Sequence, residues 1–442
     1  MSAPPEDLSP TCSAPPPPAA PTIVAPPAPP SAREASAAPC ESRTRVIGGF
    51  LLLAAAVQLA AGPILRLSQW ELSAERNPCV AEAAAWLDGR ADLPIGPGDP
   101  IRARPQDTAY VGGRVYNVFP PLVTFLTLLL APLHRLLLGR SDMWLQTPYV
   151  FLVFWSPVVA GYWVFRRECR SATWGALLAF AWIAGTAVLP CLESARTGRV
   201  WHVNHLLSQV GLLVMAADLL GSRRIWPAMI GLALAVWTRQ LTILFALPVL
   251  WAAVRERRVR AWLVGMIAIV APLLILNALR FGSPWESGYR FIYAGREDEW
   301  VAQRCLDVGL FSPRFAAENG WFMHLSPPAL HLSHAGLRIE GDPRGTCIWL
   351  TSPLLLFVPI CIHAWWRDAA RRALMLGSFA VMTALLTYHN TGFDQRGCHR
   401  FALDFIPVWL AVIAPQVAAG RGRYWLIAAA TFSTLYYTTL LG

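Results

Sequence analysis

Long apolar runs with few charges recur from Val46 to Leu441, separated by short clusters of arginine. Each is roughly 17–23 residues, close to the ~20 a helix needs to cross about 30 Å of hydrocarbon. Backbone groups in lipid must satisfy one another, so runs of this length predict an all-α bundle. Composition agrees. The chain is 55% hydrophobic and 14% charged, against roughly 45–50% and about 25% in soluble domains. Twenty tryptophans suit membrane–water interfaces. A net charge of +10 could signal nucleic acid. The arginines, however, cluster between apolar runs rather than along one face, the pattern of cytoplasmic loops meeting anionic lipid.

The expected organisation is a Pro/Ala-rich disordered tail over 1–44, then a multi-pass membrane domain over 45–442 with about ten to twelve transmembrane or re-entrant helices. Arg43 and Arg45 precede the first span, Val46–Leu65, and place the N-terminus in the cytoplasm. The first outer loop, about 67–118, is acidic, with Glu71, Glu75, Glu82, Asp88, Asp92, Asp99 and Asp107. Phe119–Leu138, opened by Pro120–Pro121 and interrupted by Pro132, reads as re-entrant or interfacial, because RRECR after Met143–Phe165 would otherwise face outward. Trp174–Pro190 and Asn204–Leu220 follow. Pro227–Val254 lies between basic GSRR and RERRVR and predicts two short helices meeting near Trp237–Gln240. Ala261–Leu279 leads to a second outer loop, about 280–349. Leu350–Trp366, Leu374–Tyr388, Phe401–Ala419 and Tyr424–Leu441 complete the spans. Of the nine cysteines, Cys305 and Cys347 share one outer loop and are the expected disulfide pair, with two free thiols as the alternative.

No phosphate-binding glycine loop, zinc motif or serine-nucleophile signature is present. Candidate chemistry therefore sits at the outer ends of the helices. Asp107, followed by Arg114, Tyr116 and Asn117, suits a general base on an acceptor hydroxyl; its structural alternative is a helix cap before a Gly112–Gly113 turn. His202 and His205, three apart, have the spacing of a metal pair, but without a third ligand they read first as polar interface histidines. Around the last outer loop stand Gln395, Arg396, Arg400 and Asp404. Asp404 lies inside an apolar run, where a carboxylate needs a partner, and Arg400 four residues earlier is the expected one. Arg400 and Arg396 suit phosphate by geometry and permanent charge. Arg239, at the helix break, either binds carbonyls there or points into a polar cavity.

DTAYVGGRVYNVFPPL after a first span and an acidic loop, then TGRVWHVNHLLSQ, AVWTRQLTILFALPVLW, NALRFGSPWESGY and HNTGFDQRGCHRFALDFIP, in this order, resemble the bacterial GT-C membrane glycosyltransferases. This is the class of protein O-mannosyltransferases and lipid A aminoarabinose transferases, and the resemblance covers most of residues 46–420. It implies a GT-C-like bundle in the bacterial inner membrane that moves a sugar from a polyprenyl-phosphate donor to an acceptor at the outer face. An acid of the first outer loop would be the base: Asp107 first, Glu75 second. Arg400, Arg239, Arg396 and His202 would meet the donor phosphate. Arg114, Tyr116, Asn117, Gln395 and Asp404 would shape the substrate pocket. The sequence departs from the family at Glu75–Arg76, where relatives carry an Asp-Glu pair.

No resident cofactor is implied; the acidic loop offers oxygen ligands compatible with a divalent cation. Expected partners are the lipid-linked sugar and membrane lipids. Two other classes stay open. A transporter or flippase would place broken helices and charges near the bilayer midplane, and the Trp237–Gln240 break is one such feature. A non-catalytic envelope assembly protein would tolerate loss of every outer-loop acid.

Overall fold

The computed structural model describes residues 41–61, 77–94, 107–138, 151–196, 200–334, 336–392 and 397–441. The proline-rich tail lies almost wholly outside these. From Ser42 onward the chain forms one compact, predominantly helical unit. Four helices are long and apolar enough to cross a membrane: Arg43–Ala60, Val200–Leu220, Val259–Phe281 and Ala369–Leu386. A fifth results if Ala172–Ala184 and Val188–Ala195, bent by 57° at their junction, count together. Shorter apolar helices cover Leu122–Pro132, Trp226–Val236, Gln240–Arg255 and Ile406–Val417.

These helices differ in what surrounds them. In Val200–Leu220, 78% of the apolar window is buried in the protein, against 11% in Val259–Phe281. The latter turns Leu263, Val264, Ile267, Ile275 and Leu279 outward. An exposed helix that is apolar on all sides needs an apolar medium, and these helices point to a membrane-embedded, multi-pass protein. The central helix is held by an unusually close crossing. A β-carbon at Gly211 would run into the Gly231 carbonyl and stand 2.6 Å from the Ala235 amide, and one at Gly231 would stand 2.5 Å from the Met215 amide. Small residues let two backbones touch, which gains dispersion contact where lipid supplies no hydrophobic drive.

The basic clusters converge at one end. Arg371, from RDAARR, donates to Glu168 of RRECR at 2.6 Å, and Arg167 reaches the same carboxylate at 2.8 Å. Arg258, from RERRVR, donates to the Arg224 carbonyl of GSRR at 3.1 Å. Clusters far apart in sequence thus form one basic rim, as a shared membrane face requires.

Several expectations need correction. The predicted single span Leu350–Trp366 is broken into Ile348–Thr351, a 3-10 turn at Pro353–Leu356, Phe357–Ile360 and Ile362–Arg367. Pro353 and Pro359 lack the amide protons a continuous helix would use. The Cys305–Cys347 disulfide is absent: both are free, buried thiols, and Cys347 Sγ donates to the His324 carbonyl at 2.8 Å. Two hairpins also appear that helical periodicity did not foresee. Thr108–Val111 pairs with Arg114–Asn117 around Gly112 and Gly113, and Ala329–Ser333 pairs with Gly336–Glu340. Both turn glycines of the first hairpin have positive φ, 57° and 80°, as a two-residue turn matched to strand twist needs.

Candidate functional site

A cavity of about 290 Å³ collects side chains from segments spread between Asp107 and Phe401. Its polar lining includes Asp107, Arg239, Tyr289, Tyr293, His389 and Arg400, and its apolar lining includes Trp201, Phe119 and Phe401. Ligand pockets typically begin near this volume, at roughly 300 Å³.

Arg239 owes its place to the helix break. Trp226–Val236 ends, Arg239 is extended at φ −141° and ψ 95°, and a 3-10 turn resumes at Gln240. The loosened backbone groups are satisfied locally. The Trp237 carbonyl accepts from the Leu122 amide at 2.9 Å, and the Arg239 carbonyl accepts from Thr242 Oγ1 at 2.7 Å. The side chain is thereby free to leave the helix, and among the described residues its hydrogen bonds go to a carboxylate rather than to carbonyls. It meets Asp404, with Nη2 donating to Oδ2 at 2.9 Å and Nε 3.2 Å from both oxygens. His205 Nδ1 lies 3.0 Å from the other oxygen, Oδ1. Asp404 and His205 are fully buried, while 17% of the Arg239 side chain stays open on the cavity.

The expected Arg400–Asp404 pair does not form. Arg400–Asp404 is a 3-10 turn, not α-helix. At three residues per turn, positions four apart no longer share a face. Asp404 instead joins Arg239 and His205 and does not line the pocket. Arg400 does line it, 5.8 Å from the Trp201 ring centre and 5.4 Å from that of Phe401. Arg239 lies 5.2 Å from the same Phe401 ring, so one aromatic ring serves two cations. Burial pushes Arg400 down to about 10, which leaves it charged at neutral pH.

Asp107 leads the first hairpin rather than capping a helix, with φ at 59°. A left-handed conformation is uncommon for a residue other than glycine, though aspartate tolerates it better than most. Its side chain is 31% exposed, and Oδ1 lies 3.9 Å from Arg296 Nη1. The strand after it packs on the Tyr289–Tyr293 turn, which brings both tyrosines to the cavity. His389 arrives from the end of Ala369–Leu386. One amide group, Asn319 Nδ2, caps that end by donating to the carbonyls of Leu386 at 2.9 Å and Tyr388 at 2.7 Å. The His389 amide then donates to the Leu310 carbonyl at 2.8 Å.

Other sequence-predicted residues fall elsewhere. Arg114 is exposed at the hairpin turn. Tyr116 packs edge-on against Phe281 and is not part of the pocket lining. Asn117 is a framework residue: Nδ2 donates to Glu82 Oε2 at 2.7 Å, and Oδ1 accepts from the Phe119 amide at 3.0 Å. His202 is buried on the His205 helix and does not line the cavity. Glu75, Gln395 and Arg396 lie outside the described residues.

The sequence reading missed Glu82, the most highly bonded carboxylate near this end. It accepts from Arg280 Nε at 2.9 Å and Nη2 at 2.5 Å, from Asn117, and from Thr124 Oγ1 at 2.8 Å. This ties the Pro78–Leu87 helix, the hairpin and the Val259–Phe281 helix together. Among the described residues, no three His, Cys, Asp or Glu side chains converge as a metal site. Glu82, Asp92 and Asp107 each face an arginine instead. Comparison with protein-family models, curated proteins and solved structures finds no match to this chain.

Proposed function

We propose that the protein is a GT-C-like glycosyltransferase of the bacterial inner membrane, moving a sugar from a polyprenyl-phosphate donor to an acceptor hydroxyl at the outer face. The observation that carries this reading is one cavity lined by an accessible carboxylate, Asp107, and two guanidinium groups, Arg239 and Arg400. In the reaction, the acceptor oxygen attacks the anomeric carbon while its proton passes to the Asp107 carboxylate. The bond from that carbon to the phosphate oxygen breaks, and its electron pair leaves on the polyprenyl phosphate. The departing phosphate gains a negative charge, which Arg239 and Arg400 stabilise where it develops. Asp404 and His205 hold Arg239 in place without touching substrate. The basic rim at one end of the bundle is the cytoplasmic face in this reading, and the acidic first loop is outside.

The test is transfer from radiolabelled polyprenyl-phosphate sugars by protein in nanodiscs. Asp107→Asn keeps the side-chain volume and removes the base, so transfer should fall about 10²–10⁴-fold with folding intact. Full transfer by that variant overturns the base assignment. Donor binding without turnover in every form turns the reading toward a flippase.

A further inference from the structure

The cavity holds a second polar device that the reaction above does not use. Tyr293 Oη lies 2.8 Å from His389 Nε2, and both residues line the cavity beside Asp107. The Tyr293 ring is seated in a small apolar cluster with Val301, Ala302 and Cys305. His389 is fixed through its own backbone and packs 4.4 Å, centre to centre, against the Tyr388 ring. The hydroxyl direction is therefore set by two independently anchored side chains. Burial pushes His389 down to about 4, so the imidazole is uncharged at neutral pH and the pair carries no net charge.

A tyrosine hydroxyl has one donor and two acceptor positions. With the ring proton on Nε2, His389 donates and Tyr293 keeps its O–H and one acceptor position; with the proton on Nδ1, the O–H goes to the imidazole and Tyr293 can only accept. Either way an acceptor position stays open to a sugar hydroxyl, which can donate, whereas a phosphate oxygen, an acceptor only, can be met in just one of the two states. The cations of the same cavity, Arg239 and Arg400, come from other segments and serve the anionic part.

Resting on the glycosyltransferase reading, we infer that Tyr293, aimed by His389, binds a hydroxyl of the transferred sugar and contributes to the choice of sugar. Tyr293 is the sugar-binding residue, and His389 is a positioning residue that acts through it.

The experiment titrates wild type, Tyr293→Phe, His389→Gln and the double variant in nanodiscs. The probes are bare polyprenyl phosphate and the same lipid carrying glucose, mannose, galactose or arabinose. Wild type should bind at least one glycosylated lipid more tightly than the bare one. Tyr293→Phe should weaken that lipid by about 2- to 13-fold, the worth of one uncharged hydrogen bond, and leave the bare lipid unchanged. His389→Gln should lose a similar factor, and the double variant little more, because the two act as one unit. Equal weakening of bare and glycosylated lipids overturns the sugar assignment in favour of phosphate. Unchanged binding by both single variants overturns it too and leaves the transferase reading standing. Wild type that binds neither lipid overturns both.

Discussion

Glu82→Gln directly tests what holds the first hairpin to the Val259–Phe281 helix. The Glu82 carboxylate is wholly buried and accepts four hydrogen bonds, two on each oxygen: Arg280 Nε and Nη2 on Oε1, and Asn117 Nδ2 and Thr124 Oγ1 on Oε2. Glutamine has nearly the same shape, so no cavity forms. It replaces one acceptor oxygen by an amide nitrogen that can only donate. Whichever way the amide turns, donors meet donors on one side. In either orientation the guanidinium loses its counter-charge, and if the nitrogen faces Arg280 it also loses both hydrogen bonds to this side chain and keeps the Phe119 carbonyl at 3.2 Å. Removing one partner of a buried ion pair costs about 3–5 kcal/mol. The loss should appear as a lowered unfolding midpoint in mixed detergent micelles, followed by tryptophan fluorescence. The double variant Glu82→Gln/Arg280→Met removes the stranded cation and should recover about half of the loss. A single variant within about 1 kcal/mol of wild type would refute the claim that this pair anchors the hairpin. So would a double variant worse than the sum of the singles.

Other outcomes follow from the same geometry. His389 and His399 are pushed down to about 4 and about 3, mainly by burial. Unfolding lets both take protons near their ordinary value of 6.5, so their contribution is intact above that pH and is lost as pH falls from 6.5 toward 4. His389 alone accounts for roughly 3 kcal/mol at pH 4, and His389→Gln should flatten the acid limb of a melting-temperature profile. A profile unchanged by that substitution would count against a buried neutral imidazole. Burial pushes the Cys79 thiol up to about 12. It should therefore resist alkylation at pH 8 in the folded protein and react on denaturation, as mass spectrometry would report. The same spectra should show no mass change at Cys305 and Cys347 on reduction; a gain of two hydrogens there would restore the disulfide.

Much of this architecture could be read in advance, because lipid-length apolar runs and helix breaks are local properties. The break at Trp237–Gln240 appears where the basic brackets and excess length put it, and Arg239 reaches the polar cavity offered as one of its two destinations. Asp107 and Arg400 also reach that cavity. Partner choice was not legible. The arginine nearest to Asp404 in sequence is Arg400, but the partners of Asp404 are His205 from a distant helix and Arg239 from a helix break, and only the folded bundle brings them within 3.2 Å. Glu82 escaped notice because AEAAAW resembles an ordinary surface helix, and its partner Arg280 lies 198 residues away. The broken stretch after Ile348 is a different failure. The run is apolar enough to span, but Pro353 and Pro359 lack the amide protons a continuous helix needs, and local hydrogen bonding overrides mean apolar character.

The Gly211–Gly231 crossing also bears on how this protein can evolve. When one residue grows at most contacts, a neighbour can shrink to make room. Here each glycine faces the other helix's main chain, which has nothing left to trim. No single change at either position has a compensating partner, so the two should stay glycine across any lineage that keeps the fold. Drift would be channelled into the cavity's aromatic wall, where Phe119 and Phe311 offer side chains that can be exchanged one at a time.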